Sequence, residues 1–591
     1  MNRLGSERSP YLRHAADQPI DWYPWSDEAF QRAADEDKPV FLSSGAVWCH
    51  WCHVMAKECF YNEEIAGMLN RDFICIKLDR DERPDIDRRY QQAVVAIAAA
   101  GGWPLSVFLM PDKRPFFGGT YFPPDDSHGR PGFKKVLAAL LDFFKTKRAE
   151  ADEYTQRLLE HLRQEGPAAG ELSPAMADRA AESILAAFDS ANGGFGQFPK
   201  FPMPGAIEFL TSRYSRTHDE SSANVIRRTL SAMARGGFHD QLQGGFHRYS
   251  VDEAWFVPHF EKMADDNAWL LRNYVSAYSL FGDAYYKEVA EGIVRFSREV
   301  LSAPEGGFYA SQDADVTPDD EGGYFTWTDE DLRRVLDEDE YRVLFLHYFS
   351  PRGRMHHDDK KHVLCIAKEP EEIAEMTGLE ASRVQELISS ARKKLLAERS
   401  GRVAPYLDTT IYTSLNGLFI TAYMKAYKAL GDDSIREFGL ASLDRILKEH
   451  VADGRLYHCS NIPALLDDYV FLIEALLAAY EATADRKHLS RAEEFMETCI
   501  EKFWDSSSGG FFDAEEKLLD ITLKQVEDIP HPSANAVAVV CLLELQRALG
   551  NDRYLRHAED SLKAFAARVP EMGLHAGYYF RALDLYFQLN G

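Results

Sequence analysis

Two cysteines with two residues between them, in Trp48-Cys49-His50-Trp51-Cys52-His53, are the residues best placed for chemistry in this chain. They follow a short apolar run, Val40-Phe41-Leu42-Ser43-Ser44, that reads as a buried strand, and they open a helical segment from Val54 to Phe60. At a helix N-terminus, unpaired backbone N–H groups and the macrodipole favour a thiolate, so Cys49 is the expected attacking sulfur. Cys52, one turn further in, is placed to resolve a mixed disulfide. The imidazoles of His50 and His53 would add positive charge and raise the redox potential. Trp103-Pro104 belongs to the same picture. A proline at the start of a central strand removes a ladder donor, and a cis-proline loop facing the thiols would explain it. Pro104 is therefore grouped with Cys49 and Cys52 as a catalytic candidate.

Other readings of the pair stay in view. Zinc needs two further ligands, and no second Cys-x-x-Cys or histidine pair accompanies this one in its domain. A soft-metal site using His50 and His53 remains open. Cys49-x-x-Cys52-His53 also spells the c-type haem attachment signature, but covalent haem needs export and the aromatic flanks read as a packed strand–helix junction. The expectation is no cofactor and no metal. Cys59, seven residues after Cys52, reads as a core thiol. Eight cysteines without a secretory signal do not make a disulfide scaffold, so a reducing, cytoplasmic compartment is expected.

A second set of chemistry-bearing residues lies in four polar clusters at helix ends. The first holds His239, Asp240, His247, Arg248 and Asp252, and the second His259, Glu261 and Lys262. The third is Ser311-Gln312-Asp313-Ala314-Asp315, and the fourth is Leu466-Asp467-Asp468-Tyr469. Histidines beside carboxylates supply general acids and bases, and interleaved aromatics suit the apolar faces of sugar rings. The same residues also serve as caps and ion pairs, so a structural role weighs equally for each. The binding candidates are Asp240, His247, Arg248, Asp252, His259, Glu261, Asp313, Asp315, Asp467 and Asp468.

The elements that must position these residues fall into two styles. From Ala29 onward helices alternate with apolar strands: Val40–Ser44, Phe73–Asp79 and Leu105–Met110, with Pro115–Gly119 as a hairpin partner. That order implies an α/β sheet. One helix is expected from about Gly132 to Glu165, then a linker. Beyond Ser173 helical patterns follow one another, among them Ala175–Ala191, Asp265–Phe281, Ala284–Leu301, Asn416–Leu430, Ile435–Val451, Ala464–Ala484 and Ser533–Leu549. A Gly-Gly-aromatic turn punctuates them at Gly193, Gly244, Gly306 and Gly509, with Gly454-Arg455-Leu456-Tyr457 as a degenerate copy. Spacings of roughly 50–60 residues fit a repeated helix pair, and the chain after residue 174 has room for about six. Six hairpins closed into a ring make an (α/α)6 toroid, with the turns on one rim around the cavity mouth; an open solenoid fits the same period.

The net charge of −27 argues against nucleic acid or an anionic membrane as partner. The charge-free run Ala93–Met110 is broken by Gly101-Gly102-Trp103-Pro104, so it reads as a helix end turning into a buried strand rather than a membrane span.

Several strings resemble one family. They include Trp48–Met55, Asp79-Arg80-Asp81-Glu82-Arg83-Pro84-Asp85-Ile86-Asp87, Gly101–Leu105, Gly118–Pro123, Gly194-Phe195-Gly196 with Pro199–Pro202, Gly244–Asp252 and Val257–Met263. The chain resembles the thioredoxin-domain proteins that include the spermatogenesis-associated thioredoxin-like protein of animals and its bacterial relatives. The resemblance covers nearly the whole chain. It implies a thioredoxin fold joined to a six-hairpin toroid similar to those of N-acylglucosamine 2-epimerases and six-hairpin glycosidases. Departures from the family pattern are Leu407-Asp408-Thr409-Thr410 with Leu415-Asn416-Gly417, Pro532-Ser533-Ala534-Asn535, and Val316-Thr317-Pro318 after Asp315.

The expectation is thus a multidomain chain: an α/β thioredoxin-like domain over 1–165, a linker over 166–174, and an all-α (α/α)6 toroid over 175–591. Its activity would be thiol–disulfide exchange on a protein client, the toroid binding that client or a small carbohydrate. The alternatives are a sugar epimerase or isomerase with its site in the toroid, and a non-catalytic redox-sensing binding protein.

Overall fold

The computed structural model describes residues 2–127, 129–164, 166–317 and 319–590. The expected limits at Met1, Glu165 and Gly591, and the altered position Pro318, lie outside them. The chain separates into two compact units, Met1–Gly166 with Phe512–Leu523, and Pro167–Phe511 with Lys524–Gly591.

In the first unit five strands, β1 (Trp22–Tyr23), β2 (Val40–Gly45), β3 (Ile74–Asp79), β4 (Leu105–Leu109) and β5 (Pro115–Gly119), form one sheet in the order β1-β3-β2-β4-β5. β3 runs parallel to β1 and β2, while β4 is antiparallel to both β2 and β5. Its helices are α1 (Pro10–Arg13), α2 (Asp27–Asp35), α3 (His50–Met55), α4 (Glu63–Asp72), α5 (Pro84–Ala98), α6 (Phe133–Thr146) and α7 (Arg148–Gln164). Every residue of β2 is buried, as expected for a central strand covered on both faces. Val40 and Leu42 pack with Ile86, Tyr90 and Val94 of α5, and Phe41 packs against Trp22, Phe60, Phe108 and Phe133. The expected single helix from Gly132 is two helices, interrupted at Lys147, which leaves helical geometry (φ −126°) without a proline or glycine to signal it. The Ala93–Met110 run is the end of α5 followed by β4, and no helix among the described residues is long and apolar enough to cross a membrane.

The segment Phe512–Leu523 lies between toroid helices in the chain yet belongs to the first unit. Arg89 of α5 pairs with both oxygens of Asp513 at 3.0 Å, with both side chains buried, and Ile521 and Leu523 pack on Leu158, Leu159 and Leu162 of α7.

The second unit contains α8 (Pro174–Ala186), α9 (Pro204–Thr217), α10 (Glu220–Arg235), α11 (Ala264–Phe281), α12 (Ala284–Glu299), α13 (Asp329–Val335), α14 (Glu338–Tyr348), α15 (Pro370–Thr377) and α16 (Ala381–Ser400). It continues with α17 (Thr413–Leu430), α18 (Asp433–Glu449), α19 (Leu466–Thr483), α20 (Arg486–Phe503), α21 (Ala534–Leu549), α22 (Asp552–Phe565), α23 (Val569–Met572) and α24 (Gly577–Asn590). Around the inside, α9 packs on α11, α11 on α17, α17 on α19, α19 on α21, α21 on α24, and α24 back on α9. That last contact closes the ring and rules out an open solenoid. Outside it, α10, α12, α18, α20 and α22 each pack on the inner helix before them, and α8 packs on α24. This is an (α/α)6 toroid, with α13–α16 inserted between the second and third hairpins.

The inner helices are buried almost all round, as α19 and α21 show, whereas outer helices such as α10 and α22 bury one stripe. Gly417 lets α17 approach α19, because a Cβ there would sit 2.6 Å from the Phe471 carbonyl carbon. Each inner helix from α11 to α21 ends on a left-handed residue, Gly282, Gly431, Ala484 or Gly550, directly followed by an Asp or Asn that caps the next outer helix. Because the turns from inner to outer helices are this short, the long connections from outer to inner helices share the opposite rim. All ten toroid binding candidates lie on that rim.

Candidate functional site

In the first unit the strand–helix junction after β2 positions the cysteines. Cys49 is the N-cap of α3, and its Sγ accepts the Cys52 backbone N–H at 3.2 Å. Cys49 and Cys52 are joined as a disulfide, with Cα atoms 5.2 Å apart. The Trp103–Pro104 peptide is cis. Trp48 holds this corner: its ring meets Trp103 edge-on at 5.9 Å and its indole N–H donates to Asp81 at 2.7 Å. The Trp103 indole in turn donates to Asp87, which also accepts from Ser44 at 2.6 Å. His50 is buried, while Trp51 is 45% exposed beside Tyr121. The Cys59 thiol is fully buried and pushed up to about 12 by that burial.

On the toroid rim, the Gly-Gly-aromatic turn is a repeated brace. In three copies an aspartate, Asp189, Asp240 or Asp505, donates its backbone N–H to the second glycine carbonyl and takes the first glycine N–H on its own carbonyl. Each aspartate side chain also accepts from a lysine, at 2.6 Å from Lys200, 2.7 Å from Lys262 and 2.6 Å from Lys524. The third copy is one residue shorter, with Ala303 in the aspartate position. The turn's phenylalanine is clamped by an asparagine at the start of the next inner helix. Phe246, Phe308 and Phe511 each donate to and accept from the side-chain amide of Asn267, Asn416 and Asn535. Sequence reasoning singled out the glycines but gave these lysines and asparagines no part in the turns, because their spacing from each turn varies: Lys200, Lys262 and Lys524 follow Gly193, Gly244 and Gly509 at unequal distances.

Several candidates are engaged in this scaffold. Asp240 accepts from Lys262 and, on both oxygens at 3.0 Å, from Arg399 of α16; burial opposes its charge, but Arg399 and Lys262 hold it well below the usual carboxylate range. Arg399 lies 159 residues away, too far for any local pattern to reveal. Asp252 accepts three backbone N–H groups, from Ala254, Phe256 and Val257. Asp468 accepts from Ser414, Leu465 and His458. His247 is enclosed by Phe260 and Phe325, and burial lowers it to about 3. Asp467 lies in the first turn of α19.

Short strands bring the remaining candidates together. β6 (Tyr249–Ser250) pairs with β7 (Pro258–His259), and β8 (Lys262–Met263), β9 (Ser311–Gln312) and β10 (Leu407–Asp408) form a three-stranded sheet. This register sets Glu261 beside the start of the Asp313–Asp315 segment. His259 Nδ1 lies 3.1 Å from both Glu261 oxygens and its Nε2 lies 3.9 Å from Glu321, with its ring stacked on Tyr249. Burial opposes the imidazolium, but Glu261, then Glu321 and Asp315, raise His259 to about 9. Asp313 goes the other way: burial, Asp315 and Glu261 push it well above the carboxylate range. Arg248 reaches toward Asp266 at 3.8 Å, beside His531, which bonds Asp266 at 2.7 Å. Asp265, Asp266 and His531 are the one group of three or more such ligand side chains, among the described residues, whose donor atoms all lie within 4.8 Å.

A Cys-x-x-Cys helix on a mixed sheet, followed by an (α/α)6 toroid, defines a thioredoxin-like protein with a helical-toroid partner domain. Residues 1–163 match the family model Thioredox_DsbH, described as a protein of unknown function, DUF255. Over 99% of its length the chain is 36% identical to spermatogenesis-associated protein 20 of Homo sapiens, covering 80% of that protein. It is 36% identical over 96% of its length to the Mus musculus form, of which 78% is covered. The chain belongs to the spermatogenesis-associated protein 20 family. Among solved structures it is similar to a GH76 α-mannanase of Bacteroides thetaiotaomicron (13% identity, TM-score 0.43, covering 71% of this chain and 97% of that one). It is also similar to cellobiose 2-epimerase of Bacillus thermoamylovorans (11% identity, TM-score 0.42, 66% and 86%).

Proposed function

We propose that the protein is a thiol–disulfide oxidoreductase acting on polypeptide clients. The observation that carries this reading is Cys49 at the N-cap of α3, bonded to Cys52. In the reduced protein the free N–H groups and dipole of α3 stabilise the Cys49 thiolate. That thiolate attacks a client disulfide, one client sulfur leaving as a thiolate. Cys52 then attacks Cys49, releasing the second client sulfur and leaving the Cys49–Cys52 disulfide. A cellular dithiol reductant restores the pair. Pro104 shapes the groove that receives the client backbone, and the toroid supplies further binding surface. In an insulin-reduction assay the wild type should turn over and Cys49→Ser should be inactive; equal turnover by the variant would sink the proposal.

A second reading applies to the toroid rim. Asp313, pushed up by burial, Asp315 and Glu261, beside Glu261, which His259 holds down against burial, is a pair of carboxyls with separated proton affinities, which suits acid–base work on a polyhydroxylated substrate. Its test is solvent-deuterium incorporation into a panel of aldoses, ketoses and N-acyl sugars. Exchange abolished by Glu261→Gln supports it, and no exchange with any sugar removes it.

A further inference from the structure

The disulfide rests on a buried layer that the exchange reaction described above does not use. Gly45, the last residue of β2, is the thin point of that layer. A Cβ built on Gly45 would lie 2.5 Å from the Tyr11 hydroxyl oxygen and 2.6 Å from Cys52 Sγ. The hydroxyl and the sulfur therefore press on the same missing side chain, and they are separated by no more than about the sum of these two contacts, within a water's width of direct hydrogen bonding. Tyr11 is itself fixed. It sits in α1, which Ser9 caps through the Leu12 N–H, and Ser9 bonds Asp79 of β3. Its ring is 6% exposed, and Lys77 Nζ lies 4.5 Å from the ring centroid, burial lowering that amine to about 7.

The chemistry of this contact runs in one direction. Burial and the Asp79 carboxylate keep the Tyr11 phenol protonated, so its hydroxyl can only donate to a negatively charged neighbour. Protonated Lys77 over the ring face draws electron density from the phenol and strengthens that donor, a contribution that fades as pH rises through about 7. The sulfur it faces becomes negative once in the cycle, when Cys52 sheds its proton to attack.

We propose that Tyr11 is the hydrogen-bond donor that stabilises the Cys52 thiolate, making the resolving sulfur available for release of the client. The proposal rests on the oxidoreductase reading only in that exchange is the occasion on which Cys52 ionises. In the step concerned, the Cys52 thiol first gives its proton to solvent, and Tyr11 donates to the resulting thiolate. The thiolate electron pair forms the bond to Cys49 Sγ, the bond from Cys49 Sγ to the client sulfur breaks, and the client leaves with that pair as a thiolate. Cys49 and Cys52 end oxidised and the client disulfide ends reduced. The position explains why β2 ends in glycine: any side chain there would push apart the two groups that must meet.

The charged and titratable groups on the surrounding elements are Lys77 and Asp79 on β3, Arg80 and Asp81 after it, Asp87 on α5, and His50 and His53 on α3. All are unchanged by Tyr11→Phe, which removes one oxygen and keeps the ring. The test is the pH dependence of alkylation of Cys52 by iodoacetamide in the full chain carrying Cys49→Ser, with the modified site read by mass spectrometry. Adding Tyr11→Phe should raise the midpoint by about one pH unit, a ten-fold loss of thiolate at neutral pH. An unchanged midpoint in a variant that unfolds at the same temperature overturns the proposal. So does a change in limiting alkylation rate without a change in midpoint, since that reports access to the sulfur alone. The profile needs no client, so a shifted midpoint together with inactivity toward insulin would keep Tyr11's role and remove the oxidoreductase reading.

Discussion

The cysteine corner and the toroid rim use polar residues in opposite ways. At the corner, a six-residue stretch supplies both sulfurs, one strand–helix junction places them, and Trp48, Trp103 and Asp87 fix the turn. On the rim, polar residues come from connections scattered over more than two hundred residues, and many are spent on holding those connections. Asp240 is the sharpest case. Read alone, a buried aspartate beside a histidine, a lysine and an arginine suggests a binding site. Read beside Asp189 and Asp505, each with its own lysine at the same distance, it is one copy of a turn brace. In a repeat protein, recurrence around the ring separates scaffold from site. His259 and Glu261 take no part in the lysine brace, yet their pairing has a parallel on the ring: His458 bonds Asp468 and stacks on Tyr412 as His259 bonds Glu261 and stacks on Tyr249.

That contrast fails if the recurring residues are dispensable. The largest effect is expected from Asp240→Ala, which strands Lys262 and Arg399 as buried unpaired cations and should cost about 3–5 kcal/mol in urea unfolding. Asn267→Ala removes three buried hydrogen bonds, to Phe246 N–H, Phe246 O and Met263 O, and should cost about 2–3 kcal/mol by the same measurement.

His531→Asn tests the neighbouring ion pairs through pH. Against burial, Asp265 and then Asp266 raise His531 to about 10, above its unfolded value of 6.5. The stabilisation is therefore fully present below pH 6.5 and is lost as pH rises through 10. The gap in unfolding free energy between wild type and variant should be on the order of 2 kcal/mol at pH 6 and should close by pH 10. A gap independent of pH would show that His531 acts by packing. The smallest effect belongs to a residue outside the repeat. Asp313→Asn replaces a carboxyl whose charge burial and its acidic neighbours disfavour with an amide of nearly the same shape, and unfolding should change by less than about 1 kcal/mol.

The two units were also unequally legible in the sequence. The strands β2, β3 and β4 and the Cys-x-x-Cys helix announce themselves through apolar runs and local spacing. The six-hairpin ring was legible because glycines of positive φ recur where each turn reverses. What stayed hidden depends on distance along the chain or on weak local signal. Arg399 meets Asp240 only through the inserted helices, Arg89 meets Asp513 across 424 residues, and Tyr11 and Cys52 border the same glycine, Gly45, from distant parts of the sequence. Helices α10, α20, α22 and α24 have no Gly-Gly turn directly before them, and the break at Lys147 has no breaker residue. In the Leu415-Asn416-Gly417 stretch the asparagine holds Phe308 and the glycine admits α19, while the departure from the family pattern at Leu415 has no structural explanation.

The central claim is that Cys49 attacks clients and Cys52 releases them. Its most direct test is mixed-disulfide trapping with Cys52→Ser, adducts from cell extract being separated on non-reducing gels and identified by mass spectrometry. The account predicts a discrete set of client proteins joined through Cys49 and absent from Cys49→Ser. No adduct, with Cys49 alkylated freely by a small reagent, would contradict it.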